Sequence, residues 1–340
     1  MIVLGVDGGG SKTFAVAVDE RGCVLGFGRG GCGNYEGSGL QAAMAEVAKA
    51  CRSALKEARV ERAAVGCFGL AGADFPQDFE MLEQAVSALG LADAVQIYND
   101  TRVAFAAGSR RGCGAVVIMG SGMNAAGFAP DGRECRLPGE GYLYGDWGGA
   151  YSIGAEVMHL VMRAHDGRGK RTALAAMVLE RLGARDMDEL TRMLYHGEIP
   201  DPAIGALTPL VFPAAAAGDE AACGIVKRIA DETAFAALAM LRRLGLQEEP
   251  REVVLGGGVY RAGGALLFDV VRQKIREGAP SAEVIVPTVE PVIGAAMLAL
   301  DKAGIEVNDS MRANLQQGND RLVAPHAVPA EGEQCRPRAV

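Results

Sequence analysis

Leu4-Gly-Val-Asp-Gly-Gly-Gly-Ser-Lys-Thr13 is the stretch of sequence that decides the fold. The β-branched run Ile2 to Val6 leads into its glycines, and a second apolar run, Phe14 to Val18, follows at once. Short apolar runs that are bounded by glycine and polar residues are typical of β-strands. The pattern therefore predicts two strands that are joined by a glycine-rich hairpin turn.

The opening pattern returns 110 residues later in the chain. Ala115 to Met119 is an apolar run, Gly120-Ser-Gly-Met-Asn124 is a second glycine-rich turn, and Ala125 to Ala129 is a second apolar run. At this constant offset the following residues align: Gly10 with Gly120, Ser11 with Ser121, Ala15 with Ala125, and Gly22 with Gly132. An internal repeat of this kind predicts a duplicated α/β domain.

Apolar runs and spacings elsewhere in the chain predict further elements. Ala63 to Leu70 is a predicted buried strand, and residues 203–217, 219–244 and 292–303 are predicted helices.

The length of 340 residues favours two domains rather than one. We expect a first α/β domain over residues 1–112 and a second over residues 113–305, which includes a helical insertion. Beyond these residues, Asn, Gln, Gly, Pro and charged residues dominate without apolar periodicity. Residues 306–340 are therefore predicted to form a disordered tail.

Composition and charge argue against several classes of protein. A net charge of −8, without a block of Lys or Arg, argues against nucleic acid or an anionic membrane as a partner. The chain starts without a basic and apolar leader, and no apolar stretch reaches the length of a membrane span, so the expected location is cytoplasmic. The eight cysteines include no Cys-x-x-Cys pair, which argues against zinc ribbons and redox motifs.

Three glycine-rich turns follow predicted strands, the third being Gly256-Gly-Gly258. Glycine lets the backbone approach a phosphate closely, and successive N–H groups can converge on its oxygens. A Walker loop is excluded because Ser11 separates the glycines from Lys12-Thr13 and a strand follows. A dinucleotide fingerprint over Gly120 to Ala125 is excluded because a helix is required where a strand follows. One such turn is more often structural, but three at strand ends indicate a phosphate site.

The first turn resembles the phosphate-1 motif of the N-acetylglucosamine kinase / BadF-BadG-BcrA-BcrD ATPase family, which belongs to the actin-like ATPase superfamily. The resemblance continues in order through Asn34, Gly69-Leu-Ala-Gly72, Asn99-Asp100, Gly120-Ser-Gly-Met-Asn124, Gly145-Asp146 and Gly256-Gly-Gly258. It implies an α/β fold of two ribonuclease H-like domains that close over a cleft. It also implies ATP and Mg²⁺ as cofactors, a small-molecule sugar as the acceptor, phosphorylation of a hexosamine at the 6-hydroxyl, and a homodimer.

The resemblance implies roles for individual residues. Asp7 would lie near Mg²⁺, and Asp100 would be the catalytic base. The nucleotide-binding residues would be Gly8, Gly9, Gly10, Ser11, Lys12, Thr13, Gly120, Ser121, Gly122, Gly256, Gly257, Gly258 and Val259. The acceptor-binding residues would be Asn34, Asp100 and Asp146, with Ser121 beside the transferred phosphate.

Asp100 is also a candidate without the resemblance. It lies at the carboxyl end of a predicted strand, where the active sites of α/β proteins collect. Phosphoryl transfer needs one carboxylate that accepts the proton of the acceptor hydroxyl. The alternative is that Asn99-Asp100-Thr101 caps the helix that follows. Asp7 has a comparable alternative as a turn residue.

The chain departs from the family pattern beside the acceptor-binding position. Many members carry Gly-Gly-Trp-Gly and Asp-Glu-Gly where this chain has Pro138-Gly-Glu-Gly141 and Asp146-Trp-Gly-Gly149. Trp147 is either a surface for sugar C–H groups or a core residue. Glu140 is either a substrate-binding residue that favours the free ammonium of glucosamine, or a solvated loop carboxylate.

Two other functions remain open at this point. One is an ATPase that activates 2-hydroxyacyl-CoA dehydratases, in which cysteines of two subunits hold an iron–sulfur cluster. Cys113 and Cys135 are the candidate cysteines for that reading. The other is a nucleotide-binding sensor without turnover, which would need no base, and the presence of both Asp100 and Asp146 argues against it.

Overall fold

The structure, a computed structural model, describes residues 1–323. The described chain forms two compact units, the first comprising residues 1–112 and 287–323, and the second residues 113–286. The first unit contains β1 (Ile2–Gly8), β2 (Thr13–Asp19), β3 (Val24–Gly30), β4 (Ala63–Leu70), β5 (Ala92–Asn99), α1 (Tyr35–Ser38), α2 (Leu40–Glu57), α3 (Pro76–Ser87), α4 (Asp100–Gly108), α13 (Pro291–Lys302) and α14 (Asp309–Val323). The second unit contains β6 (Gly114–Met119), β7 (Met123–Phe128), β8 (Glu134–Arg136), β9 (Glu252–Gly256), β10 (Glu283–Ile285), α5 (Gly149–His165), α6 (Leu174–Leu182), α7 (Met187–Tyr195), α8 (Asp201–Gly205), α9 (Val211–Ala216), α10 (Glu220–Leu244), α11 (Gly258–Ala262) and α12 (Ala265–Gly278), with 3₁₀ turns at Tyr142–Tyr144 and Thr208–Leu210.

Each unit is built around one five-stranded sheet, and the two sheets have the same topology. The strand order is β3-β2-β1-β4-β5 in the first unit and β8-β7-β6-β9-β10 in the second. In both sheets the first three strands along the chain pair antiparallel, and the last two pair parallel to the first. The predicted fold class, two ribonuclease H-like α/β domains, is confirmed by this shared arrangement.

The internal repeat is present, but its offset is not constant. Ala15 faces Val6 across the first hairpin, and Ala125 faces Val117 across the second. The offset is therefore 110 along the second strand of each hairpin and 111 along the first. The prediction of a single offset is wrong by one residue along the first strand, because the second glycine-rich turn is one residue shorter.

The turn that follows each hairpin is the same in both units. The Gly22 N–H donates to the Asp19 carbonyl at 3.0 Å, and the Gly132 N–H donates to the Ala129 carbonyl at 3.1 Å. Both glycines have positive φ, 79° and 85°. Because L-residues with a side chain rarely adopt this conformation, the alignment of the two glycines has a structural cause.

Helices cover both faces of the first sheet. Val3 and Leu4 are consecutive and point to opposite faces, as strand geometry requires. Leu4 packs in the cluster that α2 and α3 complete, together with Phe68. Val3 packs in the cluster that α13 and α14 complete, together with Val16. The sheet is thus buried on both sides, which explains why its strands are almost continuously apolar.

The division of the chain differs from the predicted one at its C-terminal side. Residues 287–305 were assigned to the second domain, but α13 belongs to the first unit, where it packs on β1 and against α4. The apolar pattern identified this helix correctly. It could not identify the partner, because the sheet that α13 covers comes from the opposite end of the chain.

The predicted disorder of residues 306–340 is wrong for the part that is described. Residues Asp309–Val323 form α14. Met311 and Leu315 are buried in the cluster that covers the first sheet, and the Asn314 side-chain amide donates to the Arg21 carbonyl at 2.8 Å. A few apolar residues of α14, spaced one turn apart, are sufficient to hold the helix in place, because the sheet supplies the rest of the apolar interface. Residues 324–340 lie outside the described residues.

The helical insertion of the second unit contains one broken helix. A continuous helix was predicted over 203–217, but Thr208–Leu210 is a 3₁₀ turn. Pro209 lacks an N–H, and in a continuous helix its ring would clash with the carbonyl four residues earlier.

Among the described residues no single helix is long and apolar enough to cross a membrane. Asp201–Ala216 and Glu220–Leu244 pass on length and composition when taken together, although they are bent by 112°.

Asp219 joins two helices of the insertion. Its carboxylate accepts hydrogen bonds from the Ala222 N–H at 3.0 Å, the Ala173 N–H at 2.7 Å and the Thr172 hydroxyl at 2.9 Å. Burial acts to raise the pKa of Asp219, but the hydrogen bonds outweigh it and hold the pKa below its ordinary value of 3.8. The ionised carboxylate therefore stabilises the start of α10.

We expect Asp219→Asn to lower the free energy of unfolding by roughly 1 kcal/mol at neutral pH. A lowered pKa stabilises the folded state only while the carboxyl is ionised, so the difference from wild type should shrink as the pH falls through that pKa. Urea unfolding from pH 7 down to about pH 3 measures it. Asp93→Asn, at an exposed carboxylate, is the control, and a difference that does not vary with pH would contradict the prediction.

Candidate active site

The first glycine-rich turn connects β1 to β2 and has an exposed tip. The Gly9 N–H donates to the Lys12 carbonyl at 3.0 Å and closes the turn, while Gly10 and Ser11 lie exposed beyond that bond. A Cβ at Gly10 would meet no atom within 4 Å. The Lys12 ammonium lies 4.5 Å from the centre of the Phe14 ring. The tip thus leaves Gly10 and Ser11 open to solvent, and their contact with a phosphate stays a prediction.

The base of this turn rests on the segment that follows β3. The Gly33 N–H donates to the Gly9 carbonyl at 2.9 Å, and a Cβ at Gly33 would lie 2.9 Å from the Gly8 Cα. Thr13 is buried, and its hydroxyl donates to the Gly31 carbonyl at 2.9 Å. The predicted nucleotide residue Thr13 therefore fixes the turn and does not present its hydroxyl to a ligand.

Asn34 follows this contact directly. Its side-chain oxygen accepts from the Glu36 N–H at 3.0 Å and caps α1, and its amide group donates to the Glu36 carboxylate at 3.3 Å. A Cβ at Gly72, after β4, would lie 2.7 Å from the same oxygen. The side chain is thus held beside the end of β4 by local hydrogen bonds. Its contact with an acceptor stays a prediction.

The parallel strands of the first sheet bring the two predicted carboxylates to one edge. Asp7, Gly69 and Tyr98 are register partners on β1, β4 and β5. Neighbouring strands lie about 4.8 Å apart, so the Cα atoms of Asp7 and Tyr98 are about 10 Å apart. Asp100 comes two residues after Tyr98. Both carboxylates therefore lie at the carboxyl edge of the sheet, as active sites of α/β proteins do.

The capping role that the sequence left open for Asp100 belongs to its neighbour. Asn99 is the N-cap of α4, and its side-chain oxygen accepts from the Thr101 N–H at 3.1 Å. The Asn99 amide group donates to the Ala73 carbonyl at 3.2 Å and to the Asp74 carboxylate at 3.1 Å. The Asp100 carboxylate, half-buried in the first turn of α4, is not needed as the cap.

Small residues allow α4 and α13 to lie directly against the sheet. A Cβ at Gly69 would be 2.3 Å from Val103 Cγ2 of α4, and a Cβ at Gly294 of α13 would be 2.0 Å from the Val103 carbonyl oxygen. A Cβ at Gly5 would be 2.4 Å from the Ala296 nitrogen. These distances are shorter than atoms can approach, so only glycine permits this packing. It fixes where α4 begins, and hence where its first carboxylate lies.

In the second unit two glycine-rich turns converge. The Gly120 N–H donates to the Gly122 carbonyl at 2.9 Å, and Ser121 lies exposed at the tip. The backbone of the third turn lies against the end of β6, since a Cβ at Gly257 would be 2.2 Å from the Met119 carbonyl oxygen. Gly257 also has a positive φ of 102°. The turns after β6 and β9 therefore form one continuous backbone surface.

The N-terminus of α5 lies against the same surface. A Cβ at Gly149 would be 2.5 Å from the Gly122 carbonyl carbon, and the Ala150 N–H donates to the Gly120 carbonyl at 2.8 Å. The first turn of a helix has N–H groups that no helical carbonyl accepts. Here one of them is satisfied by the glycine-rich turn itself, which fixes the turn to α5.

Val259 does not present its side chain to a nucleotide. It is 3% exposed and packs in the core of the second unit. The next residue, Tyr260, is also buried, and its hydroxyl lies 2.8 Å from the Thr233 hydroxyl of α10. α11 turns both side chains inward and leaves Gly256–Gly258 nearer the surface, and the assignment of Val259 to the nucleotide site stays a prediction.

Asp146 holds the loop before it. The buried carboxylate accepts from the Gly141 N–H at 3.1 Å, and the Asp146 N–H donates to the Gly141 carbonyl at 3.2 Å. Burial raises the pKa of Asp146, although hydrogen bonds from the backbone of residues 139–141 act against it. Glu140 is exposed on this loop. A structural role is thus shown for Asp146, and its contact with an acceptor stays a prediction.

Trp147 belongs to the hydrophobic core of the second unit. It is 7% exposed, and the Arg228 guanidinium lies 3.9 Å from the ring centre. Arg228 in turn contacts the Glu156 carboxylate at 3.3 Å. The hypothesis that Trp147 offers a face to sugar is therefore wrong, because core packing and a cation–π contact already occupy the ring.

The cysteines of the iron–sulfur alternative are not arranged for that role. Cys113 is buried, and the Cys135 thiol faces the Met240 carbonyl at 3.6 Å. Burial raises the pKa of Cys135, which disfavours the thiolate that metal binding needs. These contacts favour a packing role for both residues.

The predicted residues are thus gathered at the carboxyl edge of each sheet. In the first unit the turn after β1 and the start of α4 lie at that edge, and in the second unit the turns after β6 and β9 do. Sequence reasoning missed the close-contact role of four glycines, Gly33, Gly69, Gly149 and Gly294, although it named Gly69 and Gly149 in the stretches compared with the family. Their only signal is a glycine inside an apolar run or helix, which marks close backbone approach without naming the partner.

The same family is found by comparison with known proteins. Residues 4–299 match the BadF/BadG/BcrA/BcrD ATPase family. The chain belongs to this ATPase family. An N-acetyl-D-glucosamine kinase of Dictyostelium discoideum is 32% identical over 314 residues, which are 88% of this chain and 98% of that protein. An N-acetylmuramic acid/N-acetylglucosamine kinase of Clostridium acetobutylicum is 27% identical over 304 residues, 87% of this chain and 97% of that protein.

Solved structures show the same fold as this BadF/BadG/BcrA/BcrD ATPase family member. A Chromobacterium violaceum protein provisionally named N-acetylglucosamine kinase superposes with a TM-score of 0.68 at 24% identity. The alignment covers 88% of this chain and 98% of that one. The predictions of the family, of the two-domain fold and of the kinase class of enzyme are thereby confirmed.

We expect Gly69→Ala to lower the free energy of unfolding by about 1–3 kcal/mol, because the added methyl group must displace α4 from the sheet. The double variant Gly69→Ala/Val103→Ala should recover part of that loss, since it removes the atoms that the new Cβ meets. Urea unfolding compares the two.

Gly224→Ala is the matched control for this substitution. A Cβ at Gly224 of α10 would meet no atom within 4 Å. In a helix interior this change should stabilise the protein, by up to about 1 kcal/mol. Equal effects of Gly69→Ala and Gly224→Ala would show that α4 is not held by the contact at Gly69.

Proposed function

We propose that this protein is an ATP-dependent kinase that phosphorylates a hexosamine, such as N-acetylglucosamine or glucosamine, at the 6-hydroxyl. The observation that carries the proposal is the pair of carboxylates, Asp7 and Asp100, at the sheet edge that also holds the exposed glycine-rich turn. The names of the two curated relatives support a hexosamine as the acceptor. The homodimer that the resemblance implies stays a prediction.

The residues at the sheet edges suit a nucleotide triphosphate and a hard cation. Gly10, Gly120 and Gly122 have open space where a Cβ would be, so a phosphate can approach their backbone closely. The proposed phosphate contacts are Gly8 to Lys12 and Gly120 to Gly122, and Gly256 to Gly258 are proposed for the adenosine.

Asp7 offers the carboxylate oxygens that Mg²⁺ prefers. Bound there, directly or through water, Mg²⁺ would neutralise the charge that develops on the phosphates. Asp7 is half-buried near the end of β1, two residues before Gly9 at the start of the first turn. The donor set present is therefore compatible with Mg²⁺.

Asp100 is proposed as the general base. The acceptor hydroxyl gives its proton to the Asp100 carboxylate while its oxygen forms a bond to the γ-phosphorus. The bond from that phosphorus to the bridging oxygen breaks, and ADP leaves with the electron pair. Asp100 lies in the first turn of a helix whose N-cap is Asn99. This position supports the proposed role because the Asp100 carboxylate is not needed to cap the helix.

We expect Asp100→Asn to lower kcat for phosphoryl transfer by about 10²- to 10⁴-fold, because the amide cannot accept the proton. ATP binding should be retained, since Asp100 is not proposed to contact the nucleotide. Coupled ADP-release assays and equilibrium titration with ATP measure the two quantities.

Asp93→Asn is the control for Asp100→Asn. Asp93 lies on β5, the strand that precedes Asp100, and its side chain is 63% exposed and pairs with Arg62. This variant should keep wild-type kcat. If Asp100→Asn retains wild-type turnover, the assignment of the base is wrong, and if wild type transfers phosphate to no sugar, the proposed function is wrong.

Glu140 decides between two hexosamines in this proposal. If the exposed Glu140 carboxylate binds a free ammonium, Glu140→Gln should lower kcat/KM for glucosamine by about tenfold. The kcat/KM for a neutral hexose should stay unchanged. A coupled screen of glucosamine, N-acetylglucosamine, N-acetylmuramic acid and glucose with Mg²⁺-ATP measures both. Equal losses on charged and neutral sugars would exclude recognition of the amine by Glu140.

A further inference from the structure

Residues 139–148, here called the tyrosine loop, expose three consecutive large side chains. Tyr142 and Leu143 are each 77% exposed, and Tyr144 is 60% exposed. Large apolar side chains occur singly on most protein surfaces, whereas adjacent ones mark a surface that binds something. The loop lies between β8 and α5, and it also contains the buried residues Asp146 and Trp147.

The tyrosine loop has a defined backbone. The Tyr144 N–H donates to the Gly141 carbonyl at 3.0 Å, and the Gly145 N–H donates to the Tyr142 carbonyl at 3.1 Å. The buried Asp146 carboxylate accepts from the Gly141 N–H at 3.1 Å. The tyrosines are therefore carried by a fixed turn, and little backbone entropy is lost when a ligand contacts them.

Both ends of the tyrosine loop are fixed to the hairpin that carries Gly120–Gly122. A Cβ at Gly139 would lie 2.8 Å from Asn124 Nδ2 of β7. At the other end, a Cβ at Gly148 would lie 2.9 Å from the Met119 side chain of β6. The loop therefore projects from the strands that frame the proposed phosphate turn. If that turn holds the transferable phosphate, a small molecule that contacts the loop is on the side of the hairpin where an acceptor must be.

The size of the patch favours a small ligand over a second copy of the chain. An aromatic side chain buries about 150–250 Å² when it is covered, so the three side chains together offer about 500 Å². A stable protein interface buries about 800 Å² on each partner. The patch alone is too small for that, but it is large enough to cover one face of a monosaccharide.

We propose that Tyr142 and Tyr144 bind the sugar acceptor and set its specificity. This inference rests on the proposed kinase function and adds residues that neither the motifs nor the family resemblance assigned. A pyranose has faces of C–H groups and an edge of hydroxyls. A tyrosine matches both, because its ring packs on the C–H groups while its hydroxyl exchanges hydrogen bonds with the sugar. The tyrosines thus take the role that the sequence suggested for Trp147.

The test measures KM for the hexosamine, KM for ATP and kcat in Tyr142→Ala and Tyr144→Ala. We expect KM for the sugar to rise about tenfold in each variant. KM for ATP should stay within about twofold of wild type, because the nucleotide contacts are not altered. Tyr144→Phe should keep most of the affinity for sugar, whereas Tyr144→Leu, which is apolar without a flat ring, should lose it.

Tyr195→Ala is the matched control. Tyr195 is 86% exposed at the end of α7 in the same unit and lies outside the tyrosine loop. It should keep wild-type values of all three constants. Thermal unfolding of each variant should match wild type, since the tyrosine side chains are exposed and their removal leaves no cavity.

Three outcomes separate the ideas. A wild-type enzyme that phosphorylates no hexosamine overturns the proposed function, and the acceptor role of the loop falls with it. An active wild type whose alanine variants keep the wild-type KM for sugar overturns only the role of the tyrosine loop. If the variants keep that KM but change a dimer to a monomer in sedimentation, the loop is a contact between copies of the chain, and the proposal is also wrong.

Discussion

The candidate site depends on backbone lying against backbone at the ends of the strands. At Gly257 and Gly294 an added Cβ would fall 2.2 and 2.0 Å from a carbonyl oxygen. No side-chain movement relieves such an overlap, because the atoms that it meets belong to the main chain. A substitution there must shift a whole turn or helix. The positions of the glycine-rich turns and of α4 therefore follow from sterics, before any hydrogen bond or charge is considered.

The two units share a topology but differ in the chemistry that they place at the sheet edge. With the offset of 111 along the first strand, the residue that corresponds to Asp7 is Ile118. The residues that follow β10, where Asp100 follows β5, are Val286 and Pro287. The sheet edge of the first unit thus carries two carboxylates that the corresponding positions of the second unit lack. The proposed phosphoryl transfer needs only one base and one place for a metal, so it requires no second pair of carboxylates at those positions.

The sequence predicted those features whose causes are local. Strand β4 was predicted over its observed span, and α10 to within one residue, because apolar periodicity, Gly245 and the Asp219 cap are all readable along the chain. The glycine-rich turns were identified as candidate phosphate sites for the same reason. The sequence could not decide whether Asn99 or Asp100 caps α4, since both residue types cap helices well. The choice depends on which side chain reaches Ala73 and Asp74, and those residues lie 26 and 25 positions before Asn99.

Non-local packing accounts for the remaining errors, and α13 shows why it matters for the site. This helix was recognised from its apolar residues, yet its partners are β1 and α4, which come from the first third of the chain. Gly294 and Ala296 of α13 contact the same helix and strand that carry the two proposed carboxylates. Contacts between residues so far apart in sequence cost loop-closure entropy, because a long stretch of chain must be ordered to bring them together. The edge that carries Asp7 and Asp100 therefore reaches its final geometry only when residues near the end of the chain have joined the first sheet, so the proposed catalytic geometry and the folding of the whole chain are coupled.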